Sequence, residues 1–185
     1  MLYINDRLQD LDLDEAIAQL SEQRRAQALR FTHDMGQRTC AAAYLLLCEG
    51  LQKEYGIVEK PVFSYGPHGK PFIVGHEDIH FSLSHCREAA ICIISEKPVG
   101  IDIESLRHYS ESLLRYTMNA EEQALILQAE NPALAFTRLW TMKEAVVKRT
   151  GHGIDDNIKD VLTRENMSEL TTVVSPDMRY VYSYV

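Results

Sequence analysis

Apolar residues recur at helical spacing in two early stretches, and the period then shortens to that of strands. Leu13, Ile17, Leu20 and Ala28 form one stripe, opened by Asp12 with Glu15 three residues on, and predict a first helix running toward Arg30. Thr39, Ala42, Leu45 and Leu46 mark a second helix from about His33 to Tyr55, with Gly56 as its stop and an alanine-rich middle suited to close packing. From Pro61 the segments PVFSY, GPHG and KPFIV predict short strands around a turn, and IHFSLSH and AAICIIS predict two more. SEKPVG should turn the chain, which makes VGIDIE, residues 99 to 104, the next strand. Asn119 with Glu122 predicts a short helix, and Asn131, Pro132 and Gly151 frame a longer one over Pro132–Thr150. DVLTRE, TTVVS and MRYVYSYV in the tail predict strands again. Long helix, glycine and then strands thus occur twice. The expected fold class is α+β, in two similar α+β halves, residues 1–97 and 98–185.

Composition narrows the function classes. The 185 residues are 45% hydrophobic and 25% charged, as in an ordinary folded protein, so a substantial core is expected. A net charge of −8 argues against general nucleic-acid binding, which rewards a broad basic face. The start of the chain has no basic segment followed by an apolar run, and no stretch approaches the roughly 18 apolar residues of a membrane span, so the expected location is cytoplasmic, with no membrane partner. Cys40, Cys48, Cys86 and Cys92 lack C-x-x-C spacing and sit in apolar stretches, as core thiols do. Arg24, Arg25, Arg30 and Arg38 form one basic island, either a solvated helix face or a holder for a small phosphorylated ligand.

Candidate chemistry lies in three places. Strand alternation puts Asp102 and Glu104 on one face and Ile101 and Ile103 on the other. A wet outer face would explain the pair, although aspartate is disfavoured in strands. Glu144 and Lys148 are four apart on the long helix, a spacing equally common on solvated helices. Taken together, three carboxylates and a lysine on a strand and a helix could hold a hard cation such as Mg²⁺ and a phosphate. Ser84 and His85 in FSLSHC could donate to phosphate; a Cys86/His85 dyad is disfavoured because strand neighbours face opposite ways.

The stretches GKP at 69 to 71, FSLSHC, VGIDIE and WTMKEAVVK, in this order, resemble the 4′-phosphopantetheinyl transferases, and specifically the larger type with two similar halves in one chain. The resemblance covers roughly residues 20 to 155 and implies that family's fold, with the two halves packed as a pseudo-dimer. It implies transfer of 4′-phosphopantetheine from coenzyme A to a serine of an apo acyl or peptidyl carrier protein, with Mg²⁺ as cofactor and adenosine 3′,5′-bisphosphate released. By the resemblance, Asp102, Glu104 and Glu144 hold the metal, and Lys148 offsets the pyrophosphate charge. His85 and Ser84 contact phosphate, Lys70 and Pro71 line the adenine pocket, and Arg24 and Arg38 reach the 3′-phosphate. Glu144 is the candidate base for the serine proton. Ser82 stands where this family often has Asn, and Cys86 where it has Ser. Two halves in one chain imply a monomer. The competing functions are another Mg²⁺-dependent phosphate enzyme acting on a nucleotide, and a non-catalytic module binding coenzyme A or a carrier.

Overall fold

The computed structural model describes residues 1–106, 108–153 and 156–185. The chain opens with β1 (Leu2–Asn5), followed by α1 (Leu13–Gln19) and α2 (Glu22–Ala28), where the apolar stripe predicts one continuous helix. The break falls at Leu20, which turns extended with ψ 154°, and Ser21 caps the new helix by accepting from the Arg24 N–H at 3.3 Å. Periodicity does not register it because buried positions run straight through the break, with Ala16 before it, Leu20 at it and Ala28 after it. The second predicted helix is present as α3 (Asp34–Tyr55), ended by Gly56 in the left-handed region at φ 70°. A hairpin of β2 (Phe63–Tyr65) and β3 (Pro71–Ile73) comes next, then β4 (His80–His85) and β5 (Ala90–Ser95). β5 pairs antiparallel with β4 and β1, giving the sheet order β1-β5-β4. α3 lies across that sheet through Ala41, Ala42, Ala43 and Leu47, all nearly inaccessible.

VGIDIE supplies β6 (Ile101–Ser105). α4 (Glu111–Thr117), capped by Ser110, has no counterpart among the predicted elements, while α5 (Ala120–Gln128) has the full Asn119/Glu122 capping box. α6 (Pro132–Thr150) has the predicted bounds. DVLTRE is not a strand: a 3-10 turn over Asp156–Asp160 leads to α7 (Arg164–Glu169), whose N-terminus Thr163 and Asn166 cap reciprocally. Saturating the first-turn amides outweighs the strand preference of Val161 and Thr163. β7 (Thr171–Val174) and β8 (Tyr180–Tyr184) complete a second antiparallel sheet, β6-β8-β7, covered by α6. All four cysteines are free, with Cys40 and Cys92 buried. Among the described residues no helix is long and apolar enough to cross a membrane.

The two sheets meet over Ile91 and Ile93 on one side and Ile101, Ile103 and Tyr180 on the other. β4 and β6 are not paired by a backbone ladder. Instead Ser82 Oγ accepts from the Ile101 N–H at 3.1 Å and Ser84 Oγ from the Ile103 N–H at 3.2 Å. Serine hydroxyls thereby satisfy alternate amides along the otherwise open edge of a buried strand. Just before β6, Gly100 lets α6 come close: a Cβ there would lie 1.9 Å from the Ala145 carbonyl oxygen and 2.4 Å from the Arg149 nitrogen.

Candidate active site

The strand face with Asp102 is not wet. Asp102 is 4% exposed, because α6 covers this face of the sheet. A buried carboxylate must be compensated. Asp102 Oδ1 accepts from Lys148 Nζ at 2.6 Å and from Ser84 Oγ at 2.8 Å, whereas Oδ2 is buried with no hydrogen-bond partner. Lys148 also donates to Ser84 Oγ at 3.0 Å. Glu144, one turn earlier on α6, has a buried and unpartnered Oε1. Burial first, and then the negative charge of Asp102, push its carboxyl up to about 7, with Lys148 opposing and Glu104 adding a little. Glu104 Oε1 accepts from Trp140 Nε1 at 3.2 Å.

Strand, helix and packing together place the three carboxylates within electrostatic reach of one another, though among the described residues no three metal-binding side chains stand at ligand spacing. Mg²⁺ commonly uses one or two carboxylates, several waters and the substrate's phosphates. Asp102 Oδ2 and Glu144 Oε1, both buried and both without a partner, fit that requirement.

Glu144 and Lys148 line a cavity of ≈ 450 Å³ whose walls also include Arg24, Lys70, Pro71 and His85. His85 packs edge-on against Phe31, with ring centroids 6.2 Å apart. Burial holds its pKa below the usual histidine range, and the Lys148 and Arg24 charges press the same way. Arg24 is 9% exposed, donates to Gln27 Oε1 at 2.7 Å, and sits over the Tyr44 and Phe63 rings at 5.6 and 5.7 Å. Its Nε is buried without a partner. A guanidinium held by neutral and aromatic groups is well placed to take an anion.

The basic island does not act as a unit. Arg38 is turned away and donates to the Leu11 carbonyl, and Arg25 donates to the carbonyls of Ile17 and Ala18 at 3.3 and 3.2 Å. The Lys70 ammonium is committed as well, donating to the carbonyls of Arg149 at 2.7 Å and Val99 at 3.2 Å, so that its stem fastens the hairpin to the end of α6. Ser84 lies behind the cavity wall, which takes Ser82, Leu83 and His85 from β4. Sequence reasoning missed Gln27, Tyr65 and His68 in the wall, and no local pattern marks them. Trp140 had a signal in its place within WTMKEAVVK, but its bond to Glu104 needs the packing of α6 on β6.

Residues 98–177 match the model of the 4′-phosphopantetheinyl transferase superfamily. Over 181 residues the chain is 30% identical to a 4′-phosphopantetheinyl transferase of Bacillus pumilus, covering 92% of this chain and 78% of that one. It is 33% identical over 171 residues to the 4′-phosphopantetheinyl transferase HetI of Nostoc sp., covering 86% and 72% respectively. With the 4′-phosphopantetheinyl transferase Sfp of Bacillus subtilis it shares 24% identity over 189 residues, 99% of this chain and 84% of that one.

Proposed function

The chain belongs to the 4′-phosphopantetheinyl transferase superfamily, and on that premise we propose that it moves the 4′-phosphopantetheine group of coenzyme A to a serine of an apo acyl or peptidyl carrier protein. The observation that carries the reading is the pair of unpartnered buried oxygens, Asp102 Oδ2 and Glu144 Oε1, beside Lys148 and a cavity lined by His85 and Arg24. Phosphoryl-linked transfer needs an aligned attacking oxygen and stabilisation of charge on the leaving group. The serine oxygen forms the new bond to phosphorus, the bond to the nucleotide-side oxygen breaks, and adenosine 3′,5′-bisphosphate leaves.

Arg24 and His85 hold the nucleotide phosphates, Pro71 and the aliphatic part of Lys70 border the base, and Lys148 faces the pyrophosphate. Asp102 and Glu144 hold Mg²⁺, with Glu104 as the further carboxylate tied down by Trp140. The ion, when bound, neutralises charge on the phosphates. Glu144 is also the candidate base for the serine proton, through the carboxylate oxygen that does not hold the ion. In this reading residues 1–97 supply most nucleotide contacts and residues 98–185 the carboxylates, and the protein works as a cytoplasmic monomer.

The test is incubation of apo carrier proteins of several classes with coenzyme A and Mg²⁺, read by intact-protein mass spectrometry. The expected result is a gain of one phosphopantetheine, abolished in Asp102→Ala with the fold intact. No gain with any carrier overturns the proposal. Phosphate release from nucleotides without carrier modification would point to a hydrolase, and calorimetric binding without transfer to a non-catalytic module.

A further inference from the structure

We propose that Phe31 is a positioning residue, whose ring fixes the His85 imidazole at the cavity wall. His85 ends β4, and its cross-strand partner Ala90 offers only a methyl group, so the strand by itself does little to orient the ring. Phe31 supplies the support. The two rings meet edge-on, with centroids 6.2 Å apart and planes at 73°, a geometry that aromatic pairs favour. His85 lines the cavity and Phe31 does not, which makes the contact a buttress from outside rather than a second surface for the ligand.

Phe31 is itself held in place. Its N–H donates to the Ala28 carbonyl at 3.1 Å at the end of α2, and its own carbonyl accepts from Gln37 Nε2 of α3 at 2.9 Å. The ring lies over Gly36 in the first turn of α3, where a Cβ would come within 2.6 Å of Phe31 Cδ1 and 3.0 Å of its Cβ. Any side chain at position 36 would therefore push the ring aside at its root. Glycine is a poor helix residue, so alanine would suit α3 better, and the space it leaves is the space the ring occupies. Phe31 is 39% exposed, so little of the core rests on it and its truncation leaves the fold intact.

The inference rests on the proposed reading of His85 as a phosphate contact, and the experiment separates the two. Coenzyme A binding in the presence of Mg²⁺ is measured by calorimetry for wild type, F31A, F31Y, G36A, H85A and the double variant F31A/H85A, with melting temperatures to confirm folding. F31A is expected to weaken binding by about 3–10-fold. F31Y, which keeps the ring, restores it, and G36A weakens it although Phe31 is chemically intact. In the H85A background F31A adds no further loss, because the ring acts through the imidazole. Wild-type affinity in F31A overturns the inference, as does an equal loss from F31A with and without His85, the mark of a direct ligand contact or of general loosening. If H85A loses affinity and F31A does not, only the positioning role fails; if H85A binds as wild type does, the phosphate-contact reading itself fails. Should F31A not fold, F31L fills the space without an aromatic ring and is judged by the same outcomes.

Discussion

Lys148 Nζ lies 2.6 Å from Asp102 Oδ1, an ion pair that fastens α6 to β6 with the aspartate side chain 5% and the lysine side chain 29% exposed. Removing one partner of a fully buried pair costs about 3–5 kcal/mol. Lysine here reaches solvent and Ser84 remains on Oδ1, so Lys148→Met is expected to cost less, about 1–3 kcal/mol, in urea unfolding. Unchanged stability would show that the pair contributes nothing to holding the helix.

Glu144 gives the metal-free protein a pH signature. Its carboxyl is raised from 4.5 to about 7 in the fold, so between those values the native state keeps a proton that the unfolded chain has released. The stability associated with this group is complete below its unfolded pKa and is lost as pH rises through about 7. Glu144→Gln should therefore flatten the fall in stability across that window, measured by chemical unfolding at a series of pH values. A variant whose pH profile parallels wild type would remove Glu144 as its source.

Gly100→Ala should be costly although its backbone needs no unusual φ. The added methyl would meet the Ala145 carbonyl oxygen at 1.9 Å, a backbone atom within α6 that cannot swing aside. Overpacking of this kind costs about 1–3 kcal/mol or more. A lowered melting temperature together with loss of carrier modification is expected, since the helix carrying Glu144 and Lys148 must shift. Wild-type melting would mean that α6 sits farther from the strand.

Among the described residues Lys143 is the most buried cation, at 0% side-chain exposure, 2.8 Å from Glu122. It also donates to the carbonyls of Ile158 and Lys159, and Glu122 in turn accepts from the Asn119 N–H, so one knot joins α6, α5 and the 3-10 turn over Asp156–Asp160. Lys143→Met is expected to cost about 3–5 kcal/mol, with part recovered when Glu122→Gln is added, because the amide still caps α5 without a buried charge. A double-mutant cycle measures the coupling, and strict additivity would refute the knot.

The long helices were legible because their ends are set by local chemistry. Asn131, Pro132 and Gly151 bound α6 whatever it packs against, and the spacing of Glu144 and Lys148 on it, like the alternation of Asp102 and Glu104, follows from backbone geometry alone. The ordered motifs also carried the family. What depended on tertiary structure was the environment of each charge. Alternation could not reveal that α6 buries Asp102, that Ser84 joins Asp102 to Lys148, or that Arg24 enters the cavity while Arg38 turns to the Leu11 carbonyl. Sequence determines which groups an element carries and on which side; burial and hydrogen-bond saturation, which decide what those groups can do, arise only where distant elements close on one another.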